Sequence, residues 1–266
     1  MLRRHAIGIL LGAAARADAE GTAVLVDVRT KRLISVRDRA LAGGMLAPPG
    51  STLKPFSLSA LLQAGKLHAG DEFTCPQNLE IAGRSFACSH PPGMMQVRTA
   101  LAYSCNCFVA HFAERLAPGE LGSALARAGF RSRSGLLGEG EVAGDIRRAD
   151  TRLQAIGEAG VLVTAAEMAM AYRRLALDAV EPIRSGLEAA VELGTAQQAQ
   201  ITRVKVAGKT GSVRAVDGSF LAWFAGFAPS RAPEVSIAVM LQGRSGGADA
   251  APVAARILEA HFRGRS

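Results

Sequence analysis

Aromatic side chains are scarce in this chain: one tryptophan, two tyrosines and ten phenylalanines among 266 residues. A net charge of +8 invites a nucleic-acid reading, but a base-stacking groove needs rings interleaved with cations. The arginines are scattered instead, so no nucleic-acid partner is expected. The charge reads as a solvated basic surface with a mild attraction for an anionic wall or membrane. With 49% hydrophobic residues and few rings, alanine, leucine and valine must fill the core. The length suits one large domain or two modest ones.

Long apolar runs are also missing. Beyond the N-terminus no segment approaches eighteen uncharged apolar residues, so no stable membrane span is expected in the mature chain. Residues 1–19 read as an export signal. Met1-Leu2-Arg3-Arg4 is basic, Ala6 to Ala15 is apolar, and Ala17-Asp18-Ala19 offers a small-x-small cleavage site. Residues 20–266 then form an exported domain, periplasmic or otherwise extracytoplasmic.

Cysteine is limited to four positions. Cys75 and Cys88 bracket the polar loop "CPQNLEIAGRSFAC", and in an oxidising compartment a disulfide there would stabilise by about 3 kcal/mol. Cys105 and Cys107 lie two apart in a helical run, so their side chains are expected to diverge as free, buried thiols. The C-x-x-C and H-x-x-x-H ligand spacings are absent, which argues against zinc. No metal or other cofactor is expected.

Lysine occurs only at positions 31, 54, 66, 205 and 209, whereas arginine is plentiful. One lysine belongs to "PPGSTLKPF", residues 48 to 56, where a stiff turn runs into a helical pattern and Ser51 stands three residues before Lys54. Seventeen serines and five lysines give roughly 0.3 chance S-x-x-K matches in such a chain, so the stretch alone carries little.

Its setting adds weight. "TAVLVDVRT" and "RLISV" read as a hairpin around Thr30-Lys31. A polar, glycine-rich passage follows, and the spacing from Thr52 to Lys66 is helical. Cys75 to Gly93 is loop with one short hairpin. Val97 to Leu116 and "APGELGSALARAGF" are helical, and residues 131–150 are irregular and charged. "TAAEMAMAYRRLAL" is a helix with Thr164 as N-cap and Glu167 closing a capping box. A further helix lies around residues 185–200. Then "RVKVAGKTGSV", "SFLAWFAGFAP" and "EVSIAVMLQG" turn strand-like, and "AAPVAARILEAHF" ends the chain as a helix. Strands at both ends and helices between them imply an α+β fold: one antiparallel sheet built from both termini, flanked by helices, with an all-helical region inserted roughly over 50–200.

Two more short motifs join the first: Ser104-Cys105-Asn106 in the helical region and Lys209-Thr210-Gly211-Ser212 on the first C-terminal strand. S-x-x-K, a serine triplet and K-T-G, in that order, mark penicillin-binding proteins and serine β-lactamases. "PPGSTLKPF", "ALAYSCN", "QAIGEAGVLVTAAEMAMAY", "VAGKTGS" and "LAWFAGFAP" together resemble the penicillin-binding protein transpeptidase domain across nearly everything after residue 19. Rival motifs fail. A Walker A loop would need glycine where Arg203 stands, and no G-x-S-x-G elbow is present.

The chemistry of these residue types is coherent. A serine hydroxyl is a poor nucleophile until a base takes its proton. On a helix Lys54 shares a face with Ser51, and burial or a nearby cation, for which Lys209 is the candidate, would keep it neutral. The helix start and the Ser51 N–H suit a developing oxyanion, and Gly211 keeps its strand bare for a substrate backbone. The resemblance implies the rest. Ser104 would relay protons to the leaving amine, and Asn106 would hold Lys54 and bond the substrate amide. Lys209, Thr210 and Ser212 would meet the substrate carboxylate, with the Ser212 N–H as second oxyanion donor.

The resemblance implies acyl transfer from D-Ala-D-Ala stem peptides of peptidoglycan, with a Ser51 acyl-enzyme that β-lactams also form. An amine acceptor makes a D,D-transpeptidase, water makes a D,D-carboxypeptidase, and fast hydrolysis of the antibiotic makes a β-lactamase. No glutamate follows the class A loop pattern, and Asn106 is polar where class D enzymes are apolar, so the transpeptidase is preferred. A domain that only docks on wall peptides or β-lactams, or acylates once as a sensor, stays open. Other wall-building proteins also remain open as partners. The chain departs from the large family members in three respects. Neither their membrane anchor nor their additional N-terminal domain is expected here, Ser212 replaces the commoner threonine, and the inserted region is short. His90 reads as structural, Trp223 and Phe224 as sheet core, and Gly246-Gly247 as loop and cap.

Overall fold

The computed structural model describes residues 20–215 and 217–263; the expected export signal at 1–19 lies outside them. The chain opens with β1 (Gly21–Asp27) and β2 (Leu33–Arg37), joined by the expected tight turn, in which Lys31 has φ +63°. The glycine-rich passage holds an unexpected short helix, α1 (Arg39–Gly44), whose N-cap Asp38 accepts from the Leu41 N–H. A 3-10 turn, Gly50–Leu53, then runs directly into α2 (Lys54–Gln63).

The inserted region is mostly but not wholly helical. Strands β3 (Phe73–Cys75), β4 (Asn78–Ile81), β5 (Arg84–Ala87) and β6 (Gly93–Met95) make two small ladders, β3 with β6 and β4 with β5. Helices α3 (Val97–Ala102), α4 (Asn106–Ala113) and α5 (Glu120–Ala128) follow. Next come β7 (Asp145–Ile146), α6 (Thr151–Ala155) and β8 (Val161–Leu162), with β7 pairing β8. The β4–β5 ladder is the short hairpin expected between Cys75 and Gly93. The all-helical expectation fails at β3, β6, β7 and β8, because strands of two or three residues are too short to show an alternating pattern. The helix-rich stretch expected over 97–116 holds two helices rather than one, because Ser104 takes φ +59° and Cys105 is extended.

Helix α7 (Ala165–Asp178) begins at the expected capping box. The Glu167 N–H donates to Thr164 Oγ1 at 3.1 Å and the Thr164 N–H donates to Glu167 Oε2 at 3.0 Å. Helix α8 (Glu181–Glu192) leads to β9 (Ala207–Arg214), β10 (Phe220–Ala228) and β11 (Val235–Gln242). A π-type turn, Gly246–Ala250, then starts α9 (Ala251–Arg263).

The main sheet is antiparallel in the order β2-β1-β11-β10-β9, so the N-terminal strand lies beside the last strand, with Gly21 opposite Leu241. Both faces are covered, which is why β10 and β11 read as nearly unbroken apolar runs. Val24, Val26, Trp223 and Met240 point into the larger core with α7 and the inserted helices. Ala23, Leu25, Phe224 and Val239 point the other way, onto Ala254 and Leu258 of α9. Trp223 and Phe224 are thus sheet core, as expected. Strand β9 forms one edge of this sheet. Among the described residues no helix is long and apolar enough to cross a membrane.

Candidate active site

The turn that carries Ser51 is fixed from three sides. Gly50 has φ +53°, and a Cβ there would stand 2.3 Å from Val213 of β9. Its N–H donates to the Gly157 carbonyl at 3.1 Å. The Trp223 indole N–H donates to the Pro48 carbonyl at 3.1 Å, and the buried Tyr172 hydroxyl donates to the Thr52 carbonyl at 2.9 Å. Ser51 itself is half-buried. In a 3-10 turn residues three apart eclipse, so Ser51 and Lys54 lie along one line more directly than an α-helix would set them.

Gly157 packs against the Ser51 turn, a contact that sequence reasoning missed although the residue falls within a stretch already marked by resemblance. It has φ +81°, and a Cβ would come within 2.0 Å of the Gly50 carbonyl oxygen. Gly157→Ala is expected to cost at least about 2 kcal/mol and to slow acylation by moving the Ser51 turn. A thermal melt read beside a β-lactam labelling rate checks both effects.

Lys54 is completely buried. Its Nζ lies 2.7 Å from the Ser104 carbonyl oxygen, 2.6 Å from Asn106 Oδ1 and 3.2 Å from Ser104 Oγ. A neutral amine has two hydrogens for the two shorter contacts and a lone pair left for a hydroxyl proton. Burial lowers the Lys54 pKa to about 8, against an upward pull from Cys105, Cys88 and Glu158. The triplet is shaped to meet this amine. Ser104 adopts the left-handed conformation, Cys105 caps α4, and Asn106 opens that helix while its Nδ2 donates to the Ala87 carbonyl at 3.3 Å. A left-handed serine is strained backbone of the kind that clusters at functional sites.

Lys209, on β9, is also completely buried, with its Nζ donating to the Thr210 carbonyl at 3.1 Å. Burial lowers its pKa well below the usual amine value, and the charge of Lys54 lowers it further. The two amines therefore share one site. Repulsion between two buried amines disfavours charging both at once.

The remaining motif residues surround this pair. Gly211 packs against the Ser51 turn, where a Cβ would meet the Pro49 carbonyl oxygen at 3.0 Å. Thr210 Oγ1 bonds Thr195 Oγ1 at 2.8 Å, and nothing local in the sequence pointed to Thr195. The exposed Ser212 accepts from the Gly246 N–H at 3.0 Å, so the glycine pair sits at the site rim as well as before α9. Glu158, whose charge reaches Lys54, is paired with Arg84 of β5 at 2.8 Å.

Cys105 and Cys107 are free, buried thiols as expected, but Cys75 and Cys88 depart from expectation. All four are free thiols, so the Cys75–Cys88 bridge is not formed. Cys88 Sγ instead lies 3.8 Å from Cys105 Sγ and 3.6 Å from Cys107 Sγ. Cys105 and Cys107 converge on Cys88 because Cys105 is an extended cap rather than a mid-helix residue.

A mixed sheet-and-helix fold with S-x-x-K on a buried turn and K-T-G on the edge strand beside it defines the β-lactamase/transpeptidase-like class. Residues 21–259 match the penicillin binding protein transpeptidase domain, and the chain belongs to that family. It is 27% identical to a probable peptidoglycan D,D-transpeptidase, PbpC, of Pseudomonas aeruginosa over 81% of this chain and 46% of that protein. It is also 27% identical to stage V sporulation protein D of Bacillus subtilis, over 84% of this chain and 43% of that protein. The chain thus spans less than half the length of these two relatives. Among solved structures it is similar to the transpeptidase domain of Burkholderia pseudomallei penicillin-binding protein 3. The TM-score is 0.82 at 22% identity, over 93% of this chain and 89% of that one. It also resembles P. aeruginosa PBP2 in complex with WCK 5153, with a TM-score of 0.79 at 21% identity, over 92% of this chain and 74% of that one.

Proposed function

We propose that this chain is a serine D,D-transpeptidase that acts outside the cytoplasm on D-Ala-D-Ala stem peptides and is acylated by β-lactams. The reading is carried by one observation: a fully buried Lys54 with a pKa near 8, bonded to Ser104 and Asn106 and one 3-10 turn from Ser51.

Lys54 Nζ accepts the Ser51 hydroxyl proton as Ser51 Oγ bonds to the carbonyl carbon of the penultimate residue. The oxyanion so formed faces the N–H groups of Ser51 and Ser212. The C–N bond to the terminal D-Ala then breaks, and its amine takes a proton from Lys54 through the Ser104 hydroxyl. An acceptor amine attacks the ester by the same route in reverse. Its proton returns to Ser51 Oγ as the C–O bond breaks. The terminal carboxylate lies toward Lys209, Thr210 and Ser212, and its arrival favours the charged form of Lys209. Transfer is preferred to hydrolysis because Glu158, the carboxylate that Lys54 feels, is held by Arg84 rather than free to activate water.

The test is product analysis on a pentapeptide stem supplied with an amine acceptor. Exchange or cross-linked product is expected to exceed hydrolysed tetrapeptide. Tetrapeptide alone would make the chain a carboxypeptidase, and no product with no β-lactam label would make it a binding domain.

A further inference from the structure

Close to the Ser104–Asn106 triplet lies a cluster that acyl transfer does not use. Donor atoms of Cys75, Cys88, His90 and Cys105, all buried, lie within 4.8 Å of one another. We propose that these four side chains bind one zinc ion in a closed tetrahedral site that pins the Ser104–Asn106 segment.

Zinc–sulfur bonds of about 2.3 Å at tetrahedral angles place neighbouring sulfurs about 3.8 Å apart. The Cys88 and Cys105 sulfurs are separated by 3.8 Å, far too long for a disulfide. The widest separations call for each donor to move inward by only about 0.6 Å. His90 is already in the ligand tautomer. Its Nδ1 lies 2.7 Å from the Pro91 carbonyl oxygen, which only an N–H can satisfy, so Nε2 presents a lone pair. That Nε2 is buried and has no hydrogen-bond partner. An orphaned buried nitrogen on a ring grouped with three sulfurs is costly unless something binds it.

The outer contacts match those of a metal site. Each sulfur accepts a backbone N–H, which stabilises thiolate: Gln77 to Cys75 at 3.3 Å, Asn106 to Cys88 at 3.3 Å and Phe108 to Cys105 at 3.4 Å. Gln77 braces three of the four ligands. Besides its bond to Cys75, its carbonyl accepts the Cys88 N–H at 2.7 Å and its side chain donates to the His90 carbonyl at 2.6 Å. It does so at φ +68°, a strained conformation for glutamine. Three thiolates and one imidazole form a soft donor set that suits zinc and leaves no open position. Spacing rules missed the site because the ligands come from β3, the loop after β5 and the cap of α4.

Metal analysis of the purified full chain after exposure to zinc and gel filtration is expected to find about one zinc per chain. Replacing zinc by cobalt(II) should give thiolate charge-transfer absorption and strong tetrahedral visible bands. Cys88→Ser and His90→Ala should each cut bound zinc at least tenfold, while Cys107→Ser keeps it. The cobalt spectrum of the unaltered chain decides the matter if a variant fails to fold. A chain without bound zinc, a weak octahedral spectrum, or a disulfide among these cysteines found by mass spectrometry would each overturn the site.

Discussion

Ser51→Ala is expected to abolish covalent capture of a fluorescent penicillin, with acylation slower by about 10⁴-fold or more. The loss should come without unfolding. Ser51 is half-buried, and the turn around it is held by backbone and neighbouring side chains, so removing one hydroxyl should shift stability by no more than about 0.5 kcal/mol. Labelling kinetics and a melt on the same sample check the two halves. A variant that still takes up label would move the nucleophile to another residue, with Ser104 and Cys88 the first to examine.

The second large effect belongs to Lys54. If it is the base, acylation should rise about tenfold per pH unit below its pKa near 8 and level off above it. Lys54→Met should slow acylation by about 10³-fold and remove this limb. Stability should carry the same signature. The folded pKa lies below the ordinary value of 10.5, so between about 8 and 10.5 the unfolded chain holds a proton that the folded chain lacks. Stability therefore rises with pH across that window. The full penalty, about 3 kcal/mol for a shift of this size, applies below pH 8. Lys209, depressed in the same direction, adds a contribution of the same sign. Lys54→Met should flatten the slope but not erase it. Rates measured from pH 6 to 9.5 that show no limb near 8 would remove Lys54 from the base role.

The parts of the fold that could be read from sequence were those written in local pattern. The capping box at Thr164 and Glu167, the apolar runs of β10 and β11, and the turn before β2 all depend on neighbours within a few residues. The three motifs were equally legible, because residue type and order are enough to place them. What escaped notice was assembled across the chain. The helix break at Ser104 goes against the apolar spacing around it, and it lets Lys54, fifty positions earlier, reach a carbonyl, a hydroxyl and an amide at once. Gly157 matters only because Gly50 lies against it, and Thr195 only because Thr210 does. Cys75 and Cys88 suggested a ring when read along the chain, but they meet Cys105 and His90 as one group.

The pairing of β1 with β11 sets an order of events for the molecule. Gly21 finds Leu241 only after almost the whole chain is available, so sheet closure is a late, long-range step. The turn bearing Ser51 gains its packing partners Val213 and Trp223 from β9 and β10, which also lie far along the chain. A chain still emerging from the ribosome would therefore carry its serine unarmed, and reactivity would switch on only with the completed fold.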